Sequence, residues 1–243
     1  MDYENLKGEY ITVDNRPEYS LTKEQLDIFE DMAIPFRDLM MNYECALLEV
    51  QTKLEVLNKE LSLLHSRNPF ESIKCRLKSV DSIFGKLERN GLDYTIENIE
   101  KNLNDIAGIR VICAFPEDIY MLADCLVAQD DIILIAKKDY IVNPKPNGYR
   151  SLHLILDIPI FLTSGKKHMR VEVQFRTIAM DFWASLEHKL KYKKDIENAE
   201  GISEELKYCA DIISQLDRRM EQIRGRIDKN ETYSQTGILK VES

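Results

Sequence analysis

Seven residues past the middle of the chain, Arg170-Val-Glu-Val-Gln-Phe-Arg176, alternate strictly between polar and apolar. In a β-strand this puts Val171, Val173 and Phe175 on one face and Arg170, Glu172, Gln174 and Arg176 on the other. A polar outer face is ordinary for a one-sided sheet. A Glu between two Arg, with Gln beside it, is also a floor for a charged ligand, and the Glu can take a proton or hold a metal. A second group is Lys78, Ser82, Lys86 and Arg89, with Lys74 and Arg76 nearby. The spacing of Phe70, Ile73, Leu77, Val80, Phe84 and Leu87 predicts a helix over 69–90, capped by Asn68, opened by Pro69 and stopped by Asn90-Gly91. On that helix the four polar residues fall at i, i+4, i+8 and i+11, either a solvated surface or a cradle for a polyphosphate.

Asp105 stands at the entrance to a strand in Asn104-Asp-Ile-Ala-Gly-Ile-Arg110. An Asp there caps a turn unless a second carboxylate or a phosphate shares a cation with it; magnesium takes one or two protein carboxylates and fills the rest of its shell from phosphates and water. In Lys145-Pro-Asn-Gly-Tyr-Arg-Ser-Leu-His153 a loop stiffened by proline and turned by Asn-Gly precedes Tyr149. Its ring either stacks on a base or starts a core strand. His153 and Ser151 share one strand face. With four histidines in all (His65, His153, His168, His188) a three-His zinc site is not expected.

The elements that must hold these residues follow from periodicity. Residues 1–20 have no clear period and read as a loose arm. Leu21–Ala33 reads as a short helix broken or restarted at Pro35. Tyr43, Leu47, Val50, Leu54, Leu57, Leu61 and Leu64 recur every three or four residues, the stripe of a long helix packed on the chain's own sheet or on another helix. Beyond residue 90 the pattern predicts a helix over 95–104, strands over 108–115, 132–138, 151–161 (broken or bent at Pro159) and 169–176, and helices over 116–128 and 178–194. A turn is expected over 163–168. A last helix over 203–229 carries Leu206, Ala210, Ile213, Met220, Ile223 and Ile227 on one side, and a polar tail follows. The fold class is α/β (α+β): a mixed sheet flanked by helices, with long helices at both ends.

Composition narrows the function. The 243 residues carry 33 basic and 42 acidic side chains, a net charge of −9. The first 60 residues alone hold 14 acidic and 6 basic ones. Bulk binding to duplex DNA is therefore disfavoured, while a local basic pocket for a small anion is not. No apolar run is long enough to span a bilayer, and the acidic start is not a secretory signal. Five widely spaced cysteines without a CxxC pair make neither a disulfide framework nor a zinc knuckle; a reducing cytoplasm fits.

Together, "NDIAGIRVIC", "KDYI…KPNGYRSLH", "VEVQFRT" and "WASLEHKLKYK" closely resemble the synthetase domain of the RelA/SpoT family, over about Glu44 to Lys194. The short chain is similar to its single-domain branch, the small alarmone synthetases. The resemblance implies a nucleotidyltransferase-like fold, ATP as pyrophosphate donor, GDP or GTP as acceptor (GMP left open), AMP and (p)ppGpp as products, and Mg²⁺ as cofactor. It implies that Arg76 and Arg110 sandwich adenine, and that Lys78, Ser82, Lys86 and Arg89 meet the donor phosphates. Asp105 then holds the metal, and Glu172 is the general base and stands near the metal. On the acceptor side Tyr149 stacks on guanine, Lys145 and His153 meet phosphates, Gln174 and Asp181 match acceptor positions, and Glu187 orients the site.

The same resemblance divides the chain into an acidic extension over 1–40, a catalytic domain over 41–200, and a helix and tail over 201–243 suited to oligomer contact, with a homotetramer expected. No His-Asp dipeptide is present, so synthesis without hydrolysis is expected. Relatives of the same fold that place pyrophosphate on adenine nucleotides or tRNA, and a non-catalytic nucleotide- or single-stranded-RNA-binding regulator, are the alternatives.

Overall fold

The computed structural model describes residues 23–64, 67–191 and 199–238, with side chains over 33–63, 67–190 and 201–228. Eleven elements follow one another in the described residues: α1 Lys23–Leu64, β1 Phe70–Leu77, α2 Val80–Arg89, α3 Ile96–Asn102, β2 Ala107–Cys113, α4 Pro116–Val127, β3 Ile133–Asp139, β4 Leu152–Leu162, β5 Gly165–Thr177, α5 Ile178–Lys191 and α6 Ala199–Ile238. The strands form one mixed sheet in the order β1-β2-β5-β4-β3. Only β2 and β5 run parallel; the other neighbours are antiparallel.

Register sorts the residues into two faces. Ile109, Val173 and Leu154 lie side by side on β2, β5 and β4, and all three are buried. With Val171, Phe175, Leu152 and Leu156 they make the apolar face, packed with α1 and α4 into one core that includes Tyr43, Val50, Leu54, Ile119 and Leu122. The stripe expected on α1 is thus used on the chain's own sheet: Tyr43, Leu47, Val50, Leu54 and Leu61 are buried. Leu64 lies outside the described side chains. On the opposite face, Lys74, Arg110, Gln174, His153 and Lys138 form one row across all five strands. Arg76, Gly108, Glu172 and Ile155 form the next.

Several expectations are corrected. The helix over 69–90 is two elements. Phe70–Leu77 is a strand, because its apolar residues find a partner in β2, and a tertiary pairing of that kind overrides a spacing that also suits a helix. Asn68 accepts the Phe70 amide at 3.0 Å, turning the chain into the strand rather than capping a helix. Helix α2 begins after Ser79, whose hydroxyl accepts the Ser82 amide.

Helix α1 is continuous from Lys23 and contains Pro35, which costs one backbone bond without ending the helix. It passes through the boundary drawn at residue 40, and Phe36 and Leu39 belong to the core. Strand β4 runs through Pro159, because β3 pairs it only up to Asp157 and no β3 acceptor awaits the missing N–H. The turn over 163–168 shrinks to Thr163-Ser164, closed by Gly165 at φ 121°. Helix α6 extends to Ile238, and its stripe is split: Ala210 is buried against Trp183 and Ala184, while Met220 and Ile227 are exposed. The arm over 1–20, residues 192–194 of the helix after β5, and 239–243 of the tail lie outside the described residues.

Candidate active site

The polar face of the sheet brings the two carboxylates together. Glu172 on β5 pairs in register with Gly108 on β2, three residues after Asp105. The Asp105 charge acts directly on Glu172. Around them stand two groups of different character, one basic and one aromatic.

On the basic side, Lys78 and Lys86 converge on Asp105. Lys78 Nζ donates to Oδ2 at 2.6 Å and Lys86 Nζ to Oδ1 at 2.8 Å. Lys78 precedes the Ser79 cap and reaches in from the end of β1, held by its amide bond to the Ile106 carbonyl; Lys86 comes from one face of α2. The expected line of four on a single helix is therefore replaced by convergence from two elements. Ser82 and Arg89 are exposed on α2, and the Ser82 hydroxyl bonds that of Ser79 at 2.8 Å. Arg76 on edge strand β1 is exposed. It is diagonal to Arg110, a separation of roughly 7–8 Å across a sheet, with only Gly108 opposite it. Two guanidiniums so placed can hold a flat ring between them. Burial, the Arg176 charge and the Arg76 charge lower the Arg110 pKa, and Asp181 and Tyr149 oppose them.

Burial alone would raise the Asp105 pKa, but the hydrogen bonds and charges of Lys78 and Lys86 outweigh it and hold the carboxyl below its ordinary value. The same balance holds at Glu172. Burial raises its pKa, the bond and charge of His153 and the bond from Gln174 lower it more, and the net shift is downward. Both carboxylates are therefore ionised at neutral pH.

The aromatic side is a directed hydrogen-bond chain. Arg176 Nη2 donates to the Tyr149 hydroxyl oxygen at 2.8 Å. Tyr149 then bonds His153 Nε2 at 2.8 Å, and His153 Nδ1 bonds Glu172 Oε1 at 3.1 Å. An ionised Glu172 only accepts, so the network assigns a proton to Nδ1. Gln174 closes the loop: its amide donates to Glu172 Oε2 at 2.7 Å, and its oxygen accepts from Arg176 at 3.2 Å. Arg176 also donates to Asp181 Oδ1 at 2.9 Å, which Arg110 meets at 3.2 Å. The Tyr149 ring has Lys145 Nζ 5.0 Å and Arg176 Cζ 5.1 Å from its centroid. Lys145 is exposed while Arg176 is buried, so Lys145 is the cation a stacking base would displace.

Two further elements hold this side. Asn147 accepts the Tyr149 amide at 3.2 Å and donates to Glu187 on α5 at 3.0 Å. Gly148 has φ 88°, and a Cβ there would come within 2.6 Å of that of Ala210, so the loop can seat against α6 only as glycine. The structure thus unites Asp105, Glu172, Lys78, Lys86, Arg110, Tyr149, His153, Gln174, Asp181 and Lys145, with Arg76 beside Arg110 and Glu187 reaching the loop through Asn147. Ser82 and Arg89 stay at the solvent margin. Sequence reasoning counted Arg176 only as part of the floor for a charged ligand; its bonds to Tyr149, Gln174 and Asp181 came from the tertiary structure. Asn147 and Tyr140, whose ring lies 5.2 Å from that of His153, left no such mark.

Residues present here suit magnesium rather than a metal bound by protein alone. Among the described residues no three His, Cys, Asp or Glu side chains converge on a metal-sized space. A magnesium ion takes one or two protein carboxylates and fills its shell from phosphates and water, and Asp105 and Glu172 are the carboxylates that could serve it here.

The site is a mixed sheet with paired carboxylates between a cationic flank and an aromatic one. The profile of the region found in RelA/SpoT proteins matches residues 75–197, and the chain belongs to the RelA/SpoT family. It is 40% identical over 208 residues to the GTP pyrophosphokinase YwaC of Bacillus subtilis, covering 86% of this chain and 99% of that one. It is 35% identical over 190 residues to YjbM of the same organism, covering 78% and 89%. Small alarmone synthetase 1 from Bacillus subtilis, bound to its product pppGpp, superposes with a TM-score of 0.73 at 34% identity, over 80% of this chain and 98% of that one.

Proposed function

We propose that this chain synthesises (p)ppGpp by moving the pyrophosphate of ATP to the 3′-OH of GDP or GTP, with Asp105 and Glu172 at the reacting centre. The observation that carries the reading is their juxtaposition between the two flanks: Glu172 lies on β5 and Asp105 in the segment that leads into the parallel strand β2. The GTP pyrophosphokinase relatives favour a guanine-nucleotide acceptor over adenine nucleotides or tRNA.

In this reading Arg76 and Arg110 hold the adenine, and Lys78, Lys86, Ser82 and Arg89 take the triphosphate. A triphosphate offers Lys78 and Lys86 new acceptors, which releases the Asp105 oxygens for the metal. Asp105, with Glu172 beside it, would hold a magnesium ion, which would supply neutralisation and orientation of the phosphates. Tyr149 stacks on guanine after Lys145 swings from its ring to the acceptor phosphates. Glu172 takes the proton of the 3′-OH as that oxygen bonds to the β-phosphorus. The bond from the β-phosphorus to the bridging oxygen breaks, and AMP leaves with its electrons. Catalysis is positioning and electrostatics, as for phosphoryl transfer generally.

Ile34, Met41, Leu48, Val56 and Leu63 are exposed on α1 at spacings of seven or eight residues, the repeat of a helix–helix seam. In our reading a second copy of the chain covers that stripe on the way to a tetramer, in the cytoplasm. No described helix is long and apolar enough to cross a membrane.

The test is chromatography of nucleotides after incubation with ATP, Mg²⁺ and each guanine nucleotide. AMP and a guanosine tetra- or pentaphosphate are expected in equal amounts. AMP with no phosphorylated guanosine product, or no turnover with any of them, overturns the reading. Light scattering of the intact protein decides the oligomer, and a monomer at micromolar concentration rules it out.

A further inference from the structure

Helix α6 meets the aromatic side of the site in several places. Gly148 seats against Ala210, Arg150 donates to the Ala210 carbonyl and to Asp211, and the Trp183 indole donates to the Leu206 carbonyl. One more contact has no part in the chemistry above. Thr177, the last residue of β5, is wholly buried, and Asp217 on α6 is 7% exposed. The Thr177 hydroxyl donates to Asp217 Oδ2 at 2.5 Å, and Thr177 Oγ1 itself accepts the Met180 amide at 3.1 Å, capping the first turn of α5.

A buried carboxylate is costly when its one strong partner is a neutral hydroxyl. Burial leads an upward shift in the Asp217 pKa, which the Thr177 bond opposes and Glu221 adds to. The cost falls at a sensitive point. The residue after Met180 is Asp181, whose carboxylate receives Arg176 and Arg110. Arg176 in turn holds the Tyr149 hydroxyl and the Gln174 oxygen. An unbroken series of hydrogen bonds and one helical turn thus runs from α6 to the ring and to Glu172.

We propose that Asp217 is a positioning residue of the acceptor site, acting through Thr177 and the first turn of α5 to fix Asp181, Arg176 and Tyr149. It rests on the reading of Tyr149 as the acceptor platform. By it, α6 is part of the acceptor site's frame and not only a surface for another subunit. Asp217 touches no substrate; its loss frees the α5 cap and lets Asp181 withdraw from Arg176, which loosens the ring.

The test is steady-state kinetics of the full chain, with acceptor varied at saturating ATP and ATP varied at saturating acceptor. Asp217→Ala and Thr177→Val are each expected to raise the acceptor KM by about 3- to 30-fold, the usual range for a residue coupled to a site it does not touch. The ATP KM should stay within about twofold. Thr177→Ser keeps the hydroxyl and should restore the acceptor KM. The double variant should be no worse than Thr177→Val alone, because that variant already removes both the Asp217 bond and the Met180 cap. Equal changes in both KM values, a fall in kcat alone, or additive losses in the double variant would overturn the proposal, since a purely structural role predicts those. Should Asp217→Ala not fold, Asp217→Glu keeps the charge and displaces the oxygen; the same selective rise is expected, and unchanged constants refute it. Tyr149→Ala separates the two levels. If it leaves the acceptor KM unchanged, the platform reading itself fails. If it alone acts selectively while Asp217 and Thr177 variants do not, only the present proposal fails.

Discussion

Two flanks of one cleft are built in opposite ways. On the basic flank Arg76, Ser82 and Arg89 stand exposed, and the inward-facing Lys78 and Lys86 spend their bonds on a single carboxylate. On the aromatic flank Arg176 and His153 are buried, and every polar group from Asp181 to Glu172 is tied to the next. The difference matches the two ligands proposed. A triphosphate is flexible and highly charged, so mobile cations can find it and strength comes from charge. A purine ring is rigid and neutral, so its recognition needs a surface already in place, and that order is held by burial and by α6.

The comparison can be broken at its centre first. Glu172→Gln removes the proton acceptor between the flanks and should lower kcat by at least about 10²-fold; turnover within tenfold of the wild type, read from AMP release, would contradict the assignment. Tyr149→Ala should come next, raising the acceptor KM by roughly tenfold or more, as expected for a lost base-stacking partner, with the ATP KM little changed. Arg89→Ala, at the exposed margin, should raise the ATP KM only about 3- to 10-fold, the scale of one partly solvated charge. Repeating that measurement at high salt sharpens the contrast: the Arg89 effect should shrink as exposed charges are screened, while the Tyr149 effect persists.

The smallest expected effect is on stability. The Asp105 pKa is lowered in the folded chain, so its pairing with Lys78 and Lys86 stabilises the fold fully above the ordinary carboxylate range of about 4. That contribution disappears as pH falls through the lowered native value. Denaturant titrations of wild type and Asp105→Asn should therefore show a gap at pH 7 that closes in acid. A gap that widens in acid would reverse the sign and reject the pairing as its cause.

Some of this was legible in one dimension because it obeys a period or a motif. The alternation of 170–176 placed Glu172 and Gln174 on one face, and that face is the floor of the site. The spacing from Tyr43 to Leu61 marked residues that are all drawn into the core or packed against it. Asp105, Tyr149 and His153 stood out by residue type and loop context, and the family resemblance alone chose a site over a turn or a strand end, since nothing in their spacing separates the two. The reading failed where a local pattern had two solutions. Phe70, Ile73 and Leu77 suit a helix by spacing, and only the pairing with β2 makes them a strand.

By itself the sequence determined the order of the elements from α3 onward, the polar floor of the sheet and the family motifs, because periodicity and turn chemistry act between near neighbours. Only the tertiary structure decided that Lys78 and Lys86 reach one carboxylate from two elements, that Arg176 is the hub of the aromatic flank, and that Asp217, 40 residues from Thr177, braces it. Those facts depend on which side chains meet after the sheet closes. A hydrogen bond between residues distant in the chain leaves no period behind it.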